Sequence, residues 1–458
     1  MLKSKIKRIH FIGIGGIGMS GMAELLASEG YLVSGSDLNK NDRTESLEKI
    51  GLKIYIGHRS SNISGANLIV YSSAVKKDNI EIKAAEKLKI PVIKRAEMLA
   101  ELVRIKPTSV GVSGTHGKTT TCSLIGSIFY NADLDPTIAI GGIVKSFGTN
   151  AISGSGDVII VEADEYDKTF LSLKPVIGII NNIEAEHLDC YKDFQDLKDS
   201  FSIFANNIPF YGFIVVNLDD SNISDIIGDI KRPVIGYSID RESGYNAKNI
   251  QFDTHKTQFD LYHSHDKIDT ITLSIPGYHN VYNALASIAL CMELGISIEL
   301  IKKSLSAFKG VKRRFDIKYN DEDNIYIDDY AHHPTEVKST INAIRNGWPG
   351  KKVLSVFQPH LYSRTKFFYK EFASALLDSD KIILLDIYGA REEKIDGVTS
   401  KMIKDEIIKS GNPNCVVVDH EELIEELKNM HNQGDLIVTM GAGDLWIRGV
   451  EIVEYLSI

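Results

Sequence analysis

The stretch PTSVGVSGTHGKTTTCSLIGSIF, residues 107–129, decides the fold. The apolar positions around Val110 and Val112 read as a buried strand, Gly114-Thr115-His116-Gly117 as a tight loop, and Lys118 onward as a helix. A strand feeding a helix through a glycine loop is one step of a parallel α/β sheet. Such a loop aims backbone N–H groups, the helix dipole and the Lys118 ammonium at one point, which suits a polyphosphate. The stretch departs from the G-x-x-x-x-G-K-[ST] pattern in one place. Val112 stands where the first glycine belongs, with glycines instead at Gly111 and Gly114. Gly114, Thr115, His116, Gly117, Lys118, Thr119 and Thr120 are therefore the nucleotide-binding candidates, and the Thr119 hydroxyl is placed for Mg²⁺.

Working outward, the neighbouring strands should supply the remaining chemistry, because ligands of an open α/β sheet sit beyond the carboxyl ends of its strands. The run DVIIV closes on Glu162-Ala163-Asp164-Glu165, and PVIGII closes on Asn181-Asn182, with Glu184, Glu186, His187 and Asp189 close behind. Mg²⁺ takes oxygen ligands and keeps its waters, so one carboxylate with Thr119 and phosphate oxygens would suffice. Glu162, directly ending an apolar strand, is the carboxylate best placed. From about Ala247 to Ser274 apolar and polar residues alternate, which predicts a small antiparallel side sheet. The HSH at 263–265 falls in a surface hairpin of that sheet, so no dedicated zinc site is expected.

Upstream, the strand IHFIG leads into Gly13, Gly15 and Gly18 in G-x-G-x-x-G spacing, and Asp37 ends the next strand. Glycines let a backbone approach a pyrophosphate at a helix N-terminus, and the acid meets a ribose hydroxyl. NAD and a UDP-sugar satisfy that description equally, so a nicotinamide oxidoreductase stays open on this motif alone. Downstream of the basic segment KGVKRRFD, strands are expected at NIYIDDYA, KKVLSVFQPH, KIILLDIYGA, CVVVDH and DLIVTMGAG. The fold class is α/β in three domains. They are an N-terminal Rossmann-like domain over 1–106, a central domain with the phosphate loop over 107–312, and a third domain over 313–458.

Composition agrees with that plan. At ~150 residues per domain, 458 residues make about three domains. Hydrophobic residues at 43% can bury sizeable cores, and 61 acidic against 52 basic residues argue against a generic nucleic-acid or anionic-membrane surface. Cys122, Cys190, Cys291 and Cys415 lie far apart without metal-ligand spacing and read as reduced thiols of a cytoplasmic protein. No stretch approaches the ~18 apolar residues of a membrane span.

Taken in order, HFIGIGGIGMSGMAELL, GVSGTHGKTTT, VEADEYDKTF, NNIEAEHLDCY, PGYHNVYNALA, KRRFD, DDYAHHPTEV, FQPHLYSRT and GAGDLW resemble the Mur ligase family over essentially the whole chain. The resemblance implies ATP and Mg²⁺ as cofactors and UDP-N-acetylmuramate and L-alanine as the molecules joined, in a monomer or weak homodimer. It assigns the first glycine motif to UDP, with Gly13, Gly15, Gly16, Gly18, Asp37, Ser72 and Ser73 as substrate contacts. The third domain is implied to be Rossmann-like and to admit the amino acid.

By the same motifs, Lys118 is the nucleotide-loop lysine, and Thr119, Glu162 and His187 correspond to the metal site. His279, Asn280, Asn283 and Asp329 correspond to nucleotide contacts, with Tyr330, His332 and His333 beside Asp329. Arg364 is implied to hold the amino acid's carboxylate, and a guanidinium's planar fork suits that task. His332 is a candidate to assist the amine. Some relatives carry an arginine where this chain has Leu361. Several use a carbamylated lysine near the metals, and Lys198 lies in that neighbourhood. A ligase attaching recycled murein peptide is the alternative within the family, and a non-catalytic, ATP-gated binding protein is the alternative outside it.

Overall fold

The computed structural model describes residues 6–72, 74–186, 190–390 and 392–457. The chain separates into two compact units. One comprises Met1–Lys248, Leu261–Asp269 and Tyr282–Leu305, and the other comprises Asn249–Asp260, Thr270–Val281 and Ser306–Ile458.

The first sheet joins β1 (Arg8–Ile12), β2 (Leu32–Asp37), β3 (Lys53–Ile56), β4 (Leu68–Tyr71) and β5 (Val92–Lys94) in the order β3-β2-β1-β4-β5, every pair parallel. Strand order reverses at β1, so the glycine loop that follows it opens at the switch point, where such sheets bind ligands. Ile9, His10, Phe11 and Ile12 are all buried. A parallel strand covered on both faces needs no alternation, which is why this run is apolar almost throughout. His10 is tolerated because its ring meets Ser34 Oγ at 2.9 Å and Glu81 Oε2 at 3.2 Å.

The second sheet contains β6 (Thr108–Ser113), β7 (Thr137–Ala139), β8 (Ala151–Ile152), β9 (Val158–Glu162), β10 (Ile177–Ile180), β11 (Phe213–Asn217), β12 (Val234–Ser238), β13 (Tyr245–Asp253), β14 (Lys256–His263) and β15 (Asp266–Leu273). Its order is β15-β14-β13-β12-β11-β10-β6-β9-β7-β8. The register pairs Val112 with Glu162 and Ser113 with Ile180. Residues 114, 162 and 181, distant in sequence, are thereby brought to one edge. Behind β6 stands an aromatic stack, with Phe170 centred 5.2 Å from Phe201 and 5.4 Å from Phe204. Each such pair adds about 0.5–1.5 kcal/mol beyond its burial. This packing explains Gly111: a Cβ there would lie 2.8 Å from Pro175 and 3.5 Å from Phe204. Gly111 makes room for the core and does not belong to the phosphate loop.

The alternating segment forms β13, β14 and β15, and the expected side sheet is an extension of the second sheet through β12. Two-residue turns link the three strands, and Ser264 and His265 both have positive φ, as tight hairpins require.

The third sheet holds β16 (Asp316–Asn320), β17 (Ile325–Asp329), β18 (Val353–Phe357), β19 (Lys381–Leu385), β20 (Cys415–Val418) and β21 (Leu436–Met440), ordered β16-β17-β21-β18-β19-β20. All pairs are parallel except β16 with β17. The five strands expected here are present. β16 was not expected, because its FDIKYN follows directly on a basic segment that reads as a linker. Among the described residues no helix is long and apolar enough to cross a membrane, and Cys122, Cys291 and Cys415 are buried free thiols.

Candidate functional site

The phosphate loop sits between the end of β6 and the helix Lys118–Asn131. Gly114 and Gly117 have φ of +127° and +82°, and Gly117 caps the helix in the left-handed region that glycine adopts without strain. A Cβ on Gly114 would come within 3.1 Å of the backbone nitrogens of Asn181 and Asn182. Those asparagines hold the loop. Asn182 Oδ1 accepts from the His116 N–H at 2.7 Å, the Asn182 carbonyl accepts from the Thr115 N–H at 3.1 Å, and Asn181 Nδ2 donates to the His116 carbonyl at 3.3 Å and to Thr121 Oγ1 at 3.1 Å. Asn283, from the helix Tyr278–Glu293, accepts from Thr121 Oγ1 at 3.2 Å, which puts this nucleotide candidate beside the loop. His116 lies 3.5 Å from Glu184.

Lys118 folds back over the loop. Its ammonium donates to the Gly114 carbonyl at 2.7 Å, the Thr115 carbonyl at 3.2 Å and Glu165 Oε2 at 2.7 Å, with Asp164 at 3.9 Å. Burial alone would pull its pKa down, but the charges of Glu165, Asp164 and Glu186 outweigh burial and hold the ammonium above its usual range. Burial pushes the Glu165 carboxyl up to about 7 against the pull of Lys118. The other Glu165 oxygen is buried without a hydrogen-bond partner, and its backbone carbonyl accepts from Tyr191 Oη at 2.5 Å. The sequence offered Glu165 only as one of four residues ending a strand. Its contact with Lys118 depends on the β6–β9 register.

The residues present fit Mg²⁺. Glu162 Oε1 is buried and has no hydrogen-bond partner, and Gly141 lies so close that a Cβ there would be 2.9 Å from Glu162 Oε2. Thr119 and Thr120 are buried in the first turn of the helix. A hard oxygen donor left unsatisfied beside a phosphate loop suits a divalent cation. His187 lies outside the described residues. Lys198 pairs with Asp225 at 2.7 Å and lies over the Phe194 ring.

The first glycine loop is held by hydrogen bonds within the protein. The N–H groups of Gly13 and Ile14 donate to the Ser36 carbonyl at 2.8 and 3.0 Å, that of Gly15 to Asp37 Oδ2 at 2.8 Å, and that of Gly16 to the Gly13 carbonyl at 3.3 Å. Asp37 thus pins the loop in this structure, and the N–H groups of Gly13, Ile14, Gly15 and Gly16 are hydrogen-bonded within the protein. Gly13, with φ +79°, faces Ser72, 3.1 Å from where its Cβ would stand. Ser73 lies outside the described residues. Between this loop and β9 runs a cavity of about 150 Å³, lined by Gly18, Arg95, Asn150, Glu162 and Asp164 among others.

In the second unit the candidates gather at the carboxyl edge of the third sheet. Asp329 is buried, and burial pushes its carboxyl up to about 6. Its oxygens accept from Phe315 N at 3.1 Å, Ala331 N at 3.0 Å and Thr340 Oγ1 at 3.0 Å, so here it organises the turn. Arg313 and Arg314 both lie within 5.0 Å of the Tyr330 ring centre, which is what the KRRFD segment does locally.

His332 Nδ1 sits 3.0 Å from the Tyr330 carbonyl and 3.1 Å from Glu336 Oε2. His333 is the buried N-cap of the helix Pro334–Gly347. Arg364 Nη1 lies 3.3 Å from His360 Nδ1, and the His360 ring stacks on Tyr388. Leu361 has φ +72°, a strained conformation for leucine at the start of the helix bearing Arg364. His360 and Tyr388 were missed because their pairing joins two loops that the sequence does not connect. His279 and Asn280 stand at the start of the helix Tyr278–Glu293, where Asn280 Nδ2 donates to the Pro276 carbonyl at 2.7 Å.

Family models match three successive segments: the Mur ligase family catalytic domain at residues 8–106, the Mur ligase middle domain at 112–291, and the Mur ligase glutamate ligase domain at 313–443. A UDP-N-acetylmuramate–L-alanine ligase of Aquifex aeolicus is 46% identical over 97% of both chains. One from Salinibacter ruber is 44% identical over 99% of this chain and 96% of its own. The crystal structure of a UDP-N-acetylmuramate-alanine ligase from Thermotoga maritima superposes with a TM-score of 0.84 at 28% identity, covering 98% of this chain and 99% of that one. A murein peptide ligase from Psychrobacter arcticus gives 0.72 at 25% identity over 98% of each chain.

Proposed function

The chain belongs to the Mur ligase family, and from that premise we propose that it uses ATP to join the carboxylate of UDP-N-acetylmuramate to the amine of L-alanine. The observation that carries this reading is the meeting of Lys118 with Asp164 and Glu165, just past Glu162, at the adjacent ends of β6 and β9. A polyphosphate loop bordered by an unsatisfied carboxylate is equipped for phosphoryl transfer.

A carboxylate and an amine do not condense in water because hydroxide leaves poorly. Attack of one carboxylate oxygen on the γ-phosphorus of ATP gives an acyl phosphate and ADP. The neutral amine then adds to the acyl carbon, the bond from that carbon to the phosphate oxygen breaks, and the nitrogen gives up a proton. Lys118 leaves the Gly114 and Thr115 carbonyls to meet the phosphoryl oxygens, neutralising the charge that builds there. Thr119 and Glu162 would hold Mg²⁺, which supplies charge neutralisation on the phosphates. His332, oriented by Glu336, is our candidate to receive the amine's proton, since an imidazole takes protons near neutral pH. Arg364 would grip the alanine carboxylate. Arg364→Ala should raise the KM for L-alanine about tenfold to a hundredfold, a loss typical of a charge-assisted pair, with the KM for ATP unchanged. Buried free thiols support a cytoplasmic setting.

Phosphate release from ATP with each substrate omitted in turn tests the reading. Release that requires UDP-N-acetylmuramate and L-alanine together is expected. Release with a murein peptide in place of L-alanine would favour the recycling alternative, and release with no acceptor would reject ligation.

A further inference from the structure

The ends of β6, β9 and β10 build the phosphate-loop site, and β11, next in the sheet, is followed by two aspartates that the chemistry above does not use. Asp219 and Asp220 lie at the carboxyl edge of the sheet, where ligands of such folds are bound. Asp220 Oδ2 accepts from the Ile183 N–H at 3.2 Å, while its Oδ1 caps the helix Ser221–Ile226 through the Ile223 N–H at 2.9 Å. Asn222, in the first turn of that helix, donates from Nδ2 to the Ile183 carbonyl at 2.7 Å. Both backbone polar groups of Ile183 are thus held by the segment after β11. The residues on either side of Ile183 face the phosphate loop. Asn182 Oδ1 accepts from the His116 N–H at 2.7 Å, and the Glu184 N–H donates to Thr115 Oγ1 at 2.8 Å.

Asp219 reaches the loop from another side. Its Oδ1 accepts from Ser238 Oγ at 2.6 Å, and its Oδ2 accepts from the Ile239 N–H at 2.6 Å and from Tyr282 Oη at 2.9 Å. Burial would raise the Asp219 carboxyl, but hydrogen bonds from Ser238, Ile239, Asp240 and Tyr282 outweigh it and hold the pKa below the ordinary range. Tyr282 immediately precedes Asn283 on the helix Tyr278–Glu293. Asn283 accepts from Thr121 Oγ1, and its Oδ1 fills the space that a Cβ on Gly117 would need. The two braces of the phosphate loop, Asn182–Glu184 and Asn283, are only as well placed as the backbones that carry them. A misplacement of about 1 Å at such a site can cost about a hundredfold in rate.

We propose that Asp219 and Asp220 are positioning residues of the ATP site, a bracket that fixes both braces of the phosphate loop, the segment Asn182–Glu184 through Ile183 and Asn283 through Tyr282. Adjacent in sequence, they turn one strand end into a common anchor for β10, β12 and the helix Tyr278–Glu293. The assignment rests on the ATP reading above, and it goes further by naming residues that act on the nucleotide through others.

The test is titration calorimetry of the full chain with a non-hydrolysable ATP analogue and Mg²⁺, and separately with UDP. Asp220→Ala should weaken the analogue about tenfold, and Asp220→Asn less, because one amide oxygen still serves one of the two N–H groups. Asn222→Ala and Tyr282→Phe leave both aspartates in place and should each weaken it about threefold, so they carry the test if Asp220→Ala does not fold. UDP affinity should stay within about twofold throughout, since the bracket serves the other nucleotide loop. Combining Asp220→Ala with Asn182→Ala separates positioning from general structure. If Asp220 acts through that segment, the double variant is little weaker than the weaker single one, whereas independent effects multiply. Unchanged analogue affinity in Asn222→Ala and Tyr282→Phe overturns the proposal, as does multiplication in the double variant or an equal loss of UDP binding. Failure of the underlying reading is seen separately, as wild-type protein that does not bind the ATP analogue.

Discussion

The two glycine loops of the first unit occupy equivalent places, each following a central parallel strand and opening a helix, yet they manage charge in opposite ways. The loop after β6 carries its own cation, Lys118, and stores it against a buried acid, Glu165, at 2.7 Å. The loop after β1 has no lysine of its own. Its acid, Asp37, ties the backbone, and the Arg43 guanidinium of the next helix donates to the Gly15 carbonyl at 3.4 Å. The difference follows from the chemistry each must serve. A transferring phosphoryl group needs a charge that can move with it, whereas a diphosphate used only as a handle needs a rigid seat.

The supports differ accordingly. Asn181 and Asn182 brace the phosphate loop from β10. Behind the first loop lies a polar cluster in which Glu81 Oε2 accepts from Ser36 Oγ at 2.6 Å and Glu81 Oε1 from Asn62 Nδ2 at 2.6 Å. Ser36 in turn presents the carbonyl that holds Gly13 and Ile14. Burial would raise the Glu81 carboxyl, but hydrogen bonds from His10, Ser36 and Asn62 outweigh it and hold the pKa below the ordinary range.

The comparison breaks first at Lys118. Lys118→Ala should lower kcat by about a thousandfold, as expected when a charge that acts in the transition state is removed, and leave UDP binding by calorimetry unaltered. Full retention of ligation would remove the lysine from the chemistry. Glu81→Gln should cost about 2 kcal/mol of stability in denaturant unfolding at pH 7 and raise the KM for UDP-N-acetylmuramate, with the KM for ATP unaffected. Because the folded pKa of Glu81 is depressed, its contribution is complete above the unfolded value near 4.3 and is lost as pH falls through the folded value. The gap between wild type and Glu81→Gln should therefore narrow in acid, and a gap that widens would contradict the assignment. Asn182→Ala should do the converse, raising the KM for ATP about tenfold with little effect on UDP, since it removes the brace of His116. The smallest effect belongs to Asp37→Asn. An amide oxygen can still accept from Gly15, so UDP affinity should fall by only about threefold; a loss of tenfold or more would mean that Asp37 touches the ligand directly.

Much of this was legible in the sequence because it is local. Glycine spacing, apolar runs and the lysine after Gly117 lie within a few residues of one another, so the three sheets and the phosphate loop could be read directly. Glu162 was singled out because it ends an apolar strand, and it does end β9. What escaped depends on register between distant segments. Glu165 reaches Lys118 across the β6–β9 pairing, Arg95 reaches Gly18 from a helix more than two strands later, and His360 meets Tyr388 through a bridge between loops. Gly111 shows the same dependence on distant segments. It departs from the phosphate-loop spacing, and the nearness of Pro175 and Phe204 shows it to be a packing residue.

The central claim is that a carboxylate is activated by phosphorylation before the amine displaces it. It is tested most directly with UDP-N-acetylmuramate labelled with ¹⁸O in both carboxylate oxygens, turned over with ATP and L-alanine, and the released phosphate read by mass spectrometry. The account predicts one labelled oxygen in each phosphate and the other in the new amide. Phosphate free of label would contradict it.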